Sequence, residues 1–141
     1  MSSNALISKE NEYKDEIFAY LTQKEANMLP DPNYMTKQPE LQWSMRSKVV
    51  KWFIEIRNYY NLNNEIVYLS VNILDRFLSL KQVNADKLLL LAAVSLIIAA
   101  KYEYPHRRYL IRRIIKIQEL EREKVHVAER FILQKLNYEL D

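Results

Sequence analysis

The 141-residue sequence contains no glycine and no cysteine. Without glycine there is no phosphate-cradling loop and no dinucleotide-binding turn, because both need a backbone position without a Cβ. Tight two-residue hairpins are disfavoured for the same reason. Without cysteine there is no disulfide, thiolate nucleophile or cysteine-based zinc site, which accords with a reducing compartment. The two histidines, His106 and His126, lack metal-ligand spacing, so neither a metal nor a cofactor is expected. No nucleophile–base pair is visible either, and an enzyme is not expected. The first twelve residues are polar, without the apolar stretch of a secretory signal. The longest apolar run, Leu88 to Ala100, is thirteen residues between Lys87 and Lys101. A membrane span needs about twenty residues, so the run reads as a buried core helix.

What is present is an ordinary balance for a globular chain: 49% hydrophobic, 28% charged and a formal net charge of +3. The expectation is one folded region preceded by a disordered arm over 1–11 and a helix with linker over 12–33. Tyr13, Ile17, Tyr20 and Leu21 give that leading segment helical spacing, and Pro30, Pro32 and Pro39 then interrupt it. From Gln42 to Tyr60 the apolar positions Met45, Val49, Trp52, Phe53 and Ile56 recur at helical intervals. Asparagines 61, 63 and 64 break this helix and cap the next, whose stripe is Val67, Val71, Leu74 and Phe77. Asn84 is a second expected cap, leading into a helix over 85–102 that is apolar nearly all round and must be enclosed by others. Pro105 suits the first position of a helix over 105–117, and a last helix is expected over 121–137. Nothing alternates with period two. The fold class expected is all-α: five helices around a buried central one, plus the N-terminal helix.

Three groups of residues then stand out. They are Met45-Arg46 with Trp52 and Glu55; Val71 and Asn72 with Asp75-Arg76-Phe77-Leu78; and Ala100-Lys101-Tyr102-Glu103. The lead-in Tyr34-Met35, Lys37-Gln38-Pro39 precedes them. In this order and spacing they closely resemble the cyclin box of A- and B-type mitotic cyclins, over roughly residues 13–141. The resemblance implies a five-helix cyclin box over 34–141 and a cyclin-dependent protein kinase as partner. Activation would come from positioning the kinase C-helix and reordering its activation segment.

Carried over residue by residue, the kinase-binding set is Lys101, Glu129, Tyr102, Leu133, Tyr138 and Leu140, with Tyr13, Ile17 and Tyr20 from the N-terminal helix. Arg46 and Asp75 are expected to form a structural ion pair. Met45, Val49, Trp52, Glu55 and Leu88 match the family's groove for short Arg-x-Leu motifs in substrates or inhibitors. Lys48 and Leu89 depart from it, where the family has an aliphatic residue and a glutamine. Tyr104 replaces a frequent second glutamate.

Mitotic cyclins carry a second box after the segment matching Tyr138-Glu139-Leu140, whereas this sequence ends at Asp141. It is read as a truncated product or a one-box cyclin. The family places the protein inside the cell, in nucleus or cytoplasm, away from membranes. Two alternatives stay open: a nucleic-acid-binding cyclin-like box of a transcription factor, and a one-box decoy that occupies the kinase without activating it. The basic residues Arg107, Arg108, Arg112, Arg113 and Lys116 read as a solvated helix face, with a phosphate or acidic-partner site as the sharper alternative.

Overall fold

The computed structural model describes residues 29–140. The expected arm, the N-terminal helix and its residues Tyr13, Ile17 and Tyr20 lie outside the described residues. A short 3₁₀ turn, Tyr34–Lys37, leads into α1 (Trp43–Tyr60), α2 (Asn64–Leu80), a second 3₁₀ turn (Ala85–Lys87), α3 (Leu88–Glu103), α4 (Arg108–Ile117) and α5 (Arg122–Lys135). The described residues contain these five α-helices and no strand, which is the all-α architecture expected from the periodicities.

The core is built on α2 and α3. Every residue of α3 from Leu91 to Ala100 is buried, as its apolar circumference requires. Burial of α2 is just as complete from Ile66 to Leu78, well beyond the four-residue stripe read from its spacing. The polar residues in that stretch are hydrogen-bonded, as buried polar groups must be. Ser70 Oγ donates to the Ile66 carbonyl at 2.6 Å and, in α3, Ser95 Oγ to Leu91 at 2.8 Å. Phe53, Ile56, Leu110, Ile114, Val125 and Ile132 close the core from α1, α4 and α5.

Two capping expectations are corrected. Asn63 caps α2 by accepting from the Ile66 amide at 3.3 Å, but Asn84 makes no side-chain cap. Its carbonyl accepts from Lys87 within the 3₁₀ turn, and the α-helix starts at Leu88. Pro105 does not open α4. It sits second in a turn closed by Arg107 N–H to the Tyr104 carbonyl at 3.0 Å, a position its fixed φ also suits.

Helix ends show how the chain manages without glycine. After α1, α4 and α5 the backbone enters the left-handed region at Asn61 (φ 53°), Glu119 (φ 52°) and Asn137 (φ 55°). In each case the following amide reaches back a full turn: Leu62 to Arg57, Leu120 to Ile115 and Tyr138 to Leu133, at 2.9, 3.1 and 2.8 Å. These are Schellman closures, which ordinarily use glycine.

Candidate functional site

The first site is an internal tie. Asp75 lies on α2, where its carboxylate accepts Arg46 Nε at 2.8 Å and a terminal Arg46 nitrogen at 2.7 Å, a two-pronged bond from α1. The Tyr34 hydroxyl donates to the same carboxylate at 2.6 Å. Burial works against the charge on Arg46, but the bond to Asp75 and its charge outweigh it and hold the guanidinium above its ordinary pKa. Burial, then the neighbouring carboxylate, pushes the Tyr34 hydroxyl above the usual tyrosine range. The structure therefore brings Arg46 and Asp75 together and adds Tyr34, which the sequence did not single out for this role.

Gln38 performs a similar service on the lead-in. Its amide nitrogen donates to the carbonyls of Leu78 and Lys81 at 2.8 and 2.7 Å, while its oxygen accepts from the Val83 amide at 3.0 Å. One buried side chain thus satisfies the C-terminal end of α2 and fixes the loop to α3. Arg76, also buried, points to the other end of the fold. It donates to the carbonyls of Glu139 and Leu136 and to Asn72, so it holds the chain that leaves α5. Burial lowers its pKa, partly opposed by Glu139.

The second site is the face where α3 ends beside α5. Lys101 Nζ donates to both carboxylate oxygens of Glu129, at 3.0 and 2.9 Å. The Glu129 side chain is 13% exposed against 41% for Lys101, so the acid sits in the surface and the cation rises from it. Each keeps hydrogen-bonding capacity: the ammonium has a third donor and the carboxylate has free lone pairs. Of the other residues carried over from the resemblance, Tyr102, next to Lys101 on α3, and Tyr138, beyond the end of α5, are exposed, while Leu133 and Leu140 are half-buried against the core. Glu129 and Leu133 are one helical turn apart on α5. Tyr138 follows the α5 exit in the left-handed region (φ 57°), held by its own amide and by the Arg76 bond to Glu139.

Along α1, Val49 is buried, Met45 and Trp52 are half-buried and Glu55 is exposed, with Leu88 buried at the start of α3. Lys48 is exposed, and Leu89 is 53% exposed in the first turn of α3, ahead of its fully buried stretch. Tyr104, where the resemblance has a second glutamate, is used internally. Its hydroxyl accepts the Asn63 amide at 2.7 Å, tying the end of α3 to the start of α2, and Arg107 lies 5.4 Å above its ring.

Among the described residues, no cluster of His, Cys, Asp and Glu could hold a metal ion, and no helix is long and apolar enough to cross a membrane.

The sequence matches the family model described as "Cyclin, N-terminal domain" over residues 16–141. It is 38% identical over 135 residues to G2/mitotic-specific cyclin-4 of Candida albicans, covering 92% of this chain and 27% of that protein. It is 39% identical over 146 residues to G2/mitotic-specific cyclin cig2 of Schizosaccharomyces pombe, covering 99% and 34%. With G2/mitotic-specific cyclin-3 of Saccharomyces cerevisiae the identity is 40% over 131 residues, covering 92% and 30%. The chain thus spans about a third or less of the length of these curated relatives.

Proposed function

The chain belongs to the cyclin family through its N-terminal domain, and on that premise we propose that it is a regulatory subunit that binds and activates a cyclin-dependent protein kinase in the G2/mitotic part of the cell cycle. The observation that carries this reading is the Lys101–Glu129 pair, which ties the C-terminal end of α3 to α5, with exposed Tyr102 next in sequence and exposed Tyr138 at the α5 exit. A kinase C-helix laid on this face gains buried aromatic area, and its backbone ends find a cation and an anion already held in place. Phosphoryl transfer needs the kinase's strand lysine paired with its C-helix glutamate, so a subunit that presses that helix inward switches the kinase on. Nothing in this role asks for catalytic groups on the cyclin itself.

By the family resemblance Tyr13, Ile17 and Tyr20 are proposed as further kinase-binding residues, and the proposed location is intracellular, nuclear or cytoplasmic, as such a partner requires. The proposed groove for Arg-x-Leu segments runs along Met45, Val49, Trp52, Glu55 and Leu88, with Lys48 and Leu89 altering its rim. The experiment is reconstitution with an inactive cyclin-dependent kinase, read by histone phosphorylation. The expected result is activation that Lys101→Ala and Glu129→Ala each abolish while helicity stays intact. Binding without activation identifies a decoy instead. DNA binding with steep salt dependence and no kinase binding replaces the reading by the transcription-factor one.

A further inference from the structure

The basic residues of α4 are left unused by the kinase reading, and the structure gives them a setting. Between α3, α4 and α5 lies an open cleft of about 350 Å³ whose floor is apolar: Ile97, Ile111, Ile115 and Val125. Its rim carries Lys101, Arg108, Arg112, Arg122 and His126, and no acidic residue lines it. Lys101 is taken by Glu129. No described residue hydrogen-bonds or ion-pairs with the side chain of Arg108, Arg112 or Arg122.

Two of these arginines stand where helix electrostatics oppose them. Arg108 is the first residue of α4 and Arg122 the first of α5. Helix N-termini carry partial positive charge and favour anions, so a cation there raises the local potential. Glu123 in the first turn of α5 and Glu121 just before it temper this, but Glu121 reaches out to Lys124 at 3.8 Å. The result is an apolar trough with uncompensated positive charge along its edges.

We infer that this cleft is a docking site for a short acidic peptide segment, with one aliphatic side chain on the isoleucine floor and flanking Asp or Glu carboxylates on Arg108, Arg112 and Arg122. The chemistry favours a peptide over a nucleic acid. A phosphate backbone needs a continuous basic track and gains little from a concave aliphatic floor, whereas single-stranded bases ask for exposed aromatic platforms, and the cleft is lined by none. Separate arginines one helical turn apart on α4, with a third across the trough on α5, suit several carboxylates spread along an extended segment.

The test does not depend on kinase activation. Fluorescence anisotropy is measured on the 141-residue chain with a labelled peptide holding one leucine among Asp and Glu residues. Binding is expected to weaken about tenfold or more in Arg112→Glu and in Arg122→Glu, as loss and reversal of a charge-assisted contact predicts. Arg113→Glu serves as control: Arg113 lies outside the cleft and bonds the Tyr109 hydroxyl. All variants are checked for native helicity, and Arg112→Gln provides a milder substitution if a reversal disturbs folding. Three results overturn the proposal: equal losses in Arg113→Glu and Arg112→Glu, undiminished binding when the peptide leucine becomes asparagine, or binding confined to a phosphorylated peptide or an oligonucleotide of the same length.

Discussion

Tyr34 donates its hydroxyl to Asp75 at 2.6 Å across 41 residues of sequence, and Arg46 grips the same carboxylate from α1. Three elements, the lead-in turn, α1 and α2, therefore meet on one almost fully buried acid. Removing it leaves a half-buried guanidinium and a buried hydroxyl without their partner. Asp75→Ala is expected to cost about 3–5 kcal/mol of stability, the range for breaking a buried pair from one side. Tyr34→Phe, which leaves the ion pair standing, should cost about 1 kcal/mol. Urea unfolding measures both, and a wild-type midpoint for Asp75→Ala would contradict this account.

The same hydroxyl gives the fold a pH dependence of predictable sign. Burial and Asp75 raise its pKa above the ordinary value of 10.0, so the folded state holds the proton more tightly than the unfolded chain does. That contribution is complete below pH 10 and is lost progressively as pH climbs from there toward the folded value. Wild-type stability should fall between about pH 10 and pH 11 more steeply than that of Tyr34→Phe, which has no proton to lose at this site. Urea midpoints at stepped pH read the two slopes, and parallel slopes would remove Tyr34 as the source.

Much of this fold was legible because helices repeat. The spacing of Met45, Val49, Trp52, Phe53 and Ile56 placed α1, and the uninterrupted run at Leu88–Ala100 placed the buried α3. The Asp75-Arg76-Phe77-Leu78 segment announced itself by family resemblance. The structure supplies the reasons: Asp75 and Arg76 each bind distant groups, while Phe77 and Leu78 are core. What stayed hidden were bonds with no periodicity. Tyr34, Gln38 and the carbonyl targets of Arg76 are joined to partners 40 to 63 residues away, and no spacing rule links a side chain to a distant backbone oxygen. Asn84 and Pro105 misled for a related reason: each residue type serves a 3₁₀ or β-turn as well as a helix start.

Glu119 offers a stabilising substitution. It occupies the left-handed C′ position of α4, with Leu120 N–H bonded back to Ile115 and both of those side chains half-buried. A Cβ there costs roughly 1 kcal/mol relative to glycine. Glu119→Gly should therefore raise stability by about 1 kcal/mol and the melting temperature by a few degrees. Asn61→Gly, at the equivalent place after α1, should change little, because asparagine already tolerates this backbone region. Thermal melts followed by circular dichroism compare the two.

The proposed peptide groove along α1 makes a prediction about repulsion. Lys48 is exposed beside Val49 and Trp52, where an incoming arginine would meet a like charge. Lys48→Leu should tighten binding of an Arg-x-Leu peptide by about fivefold, the scale of one exposed charge contact. The gain should shrink at high salt, since the penalty removed is electrostatic. Anisotropy titrations at two ionic strengths check this, and a salt-independent gain would assign the effect to added apolar area instead.

Arg76 links the buried motif to the proposed kinase face. Its guanidinium bonds the Leu136 and Glu139 carbonyls, and between them Asn137 and Tyr138 both hold left-handed backbone, which asparagine tolerates and the Tyr138 side chain disfavours. Release of those carbonyls lets Tyr138 relax toward ordinary angles, and Tyr138 and Leu140 lose their fixed placement at the α5 exit, part of the proposed kinase face. Arg76→Met keeps the aliphatic bulk and removes the donors, at a cost of about 1.5–3 kcal/mol for bonds to a charged group. Hydrogen exchange should then speed up at the Tyr138 and Glu139 amides, while the amides of α3 stay protected. Kinase affinity should fall although Lys101 and Glu129 are unchanged. If exchange in α3 accelerates equally, the arginine supports the whole core and has no particular hold on the exit segment.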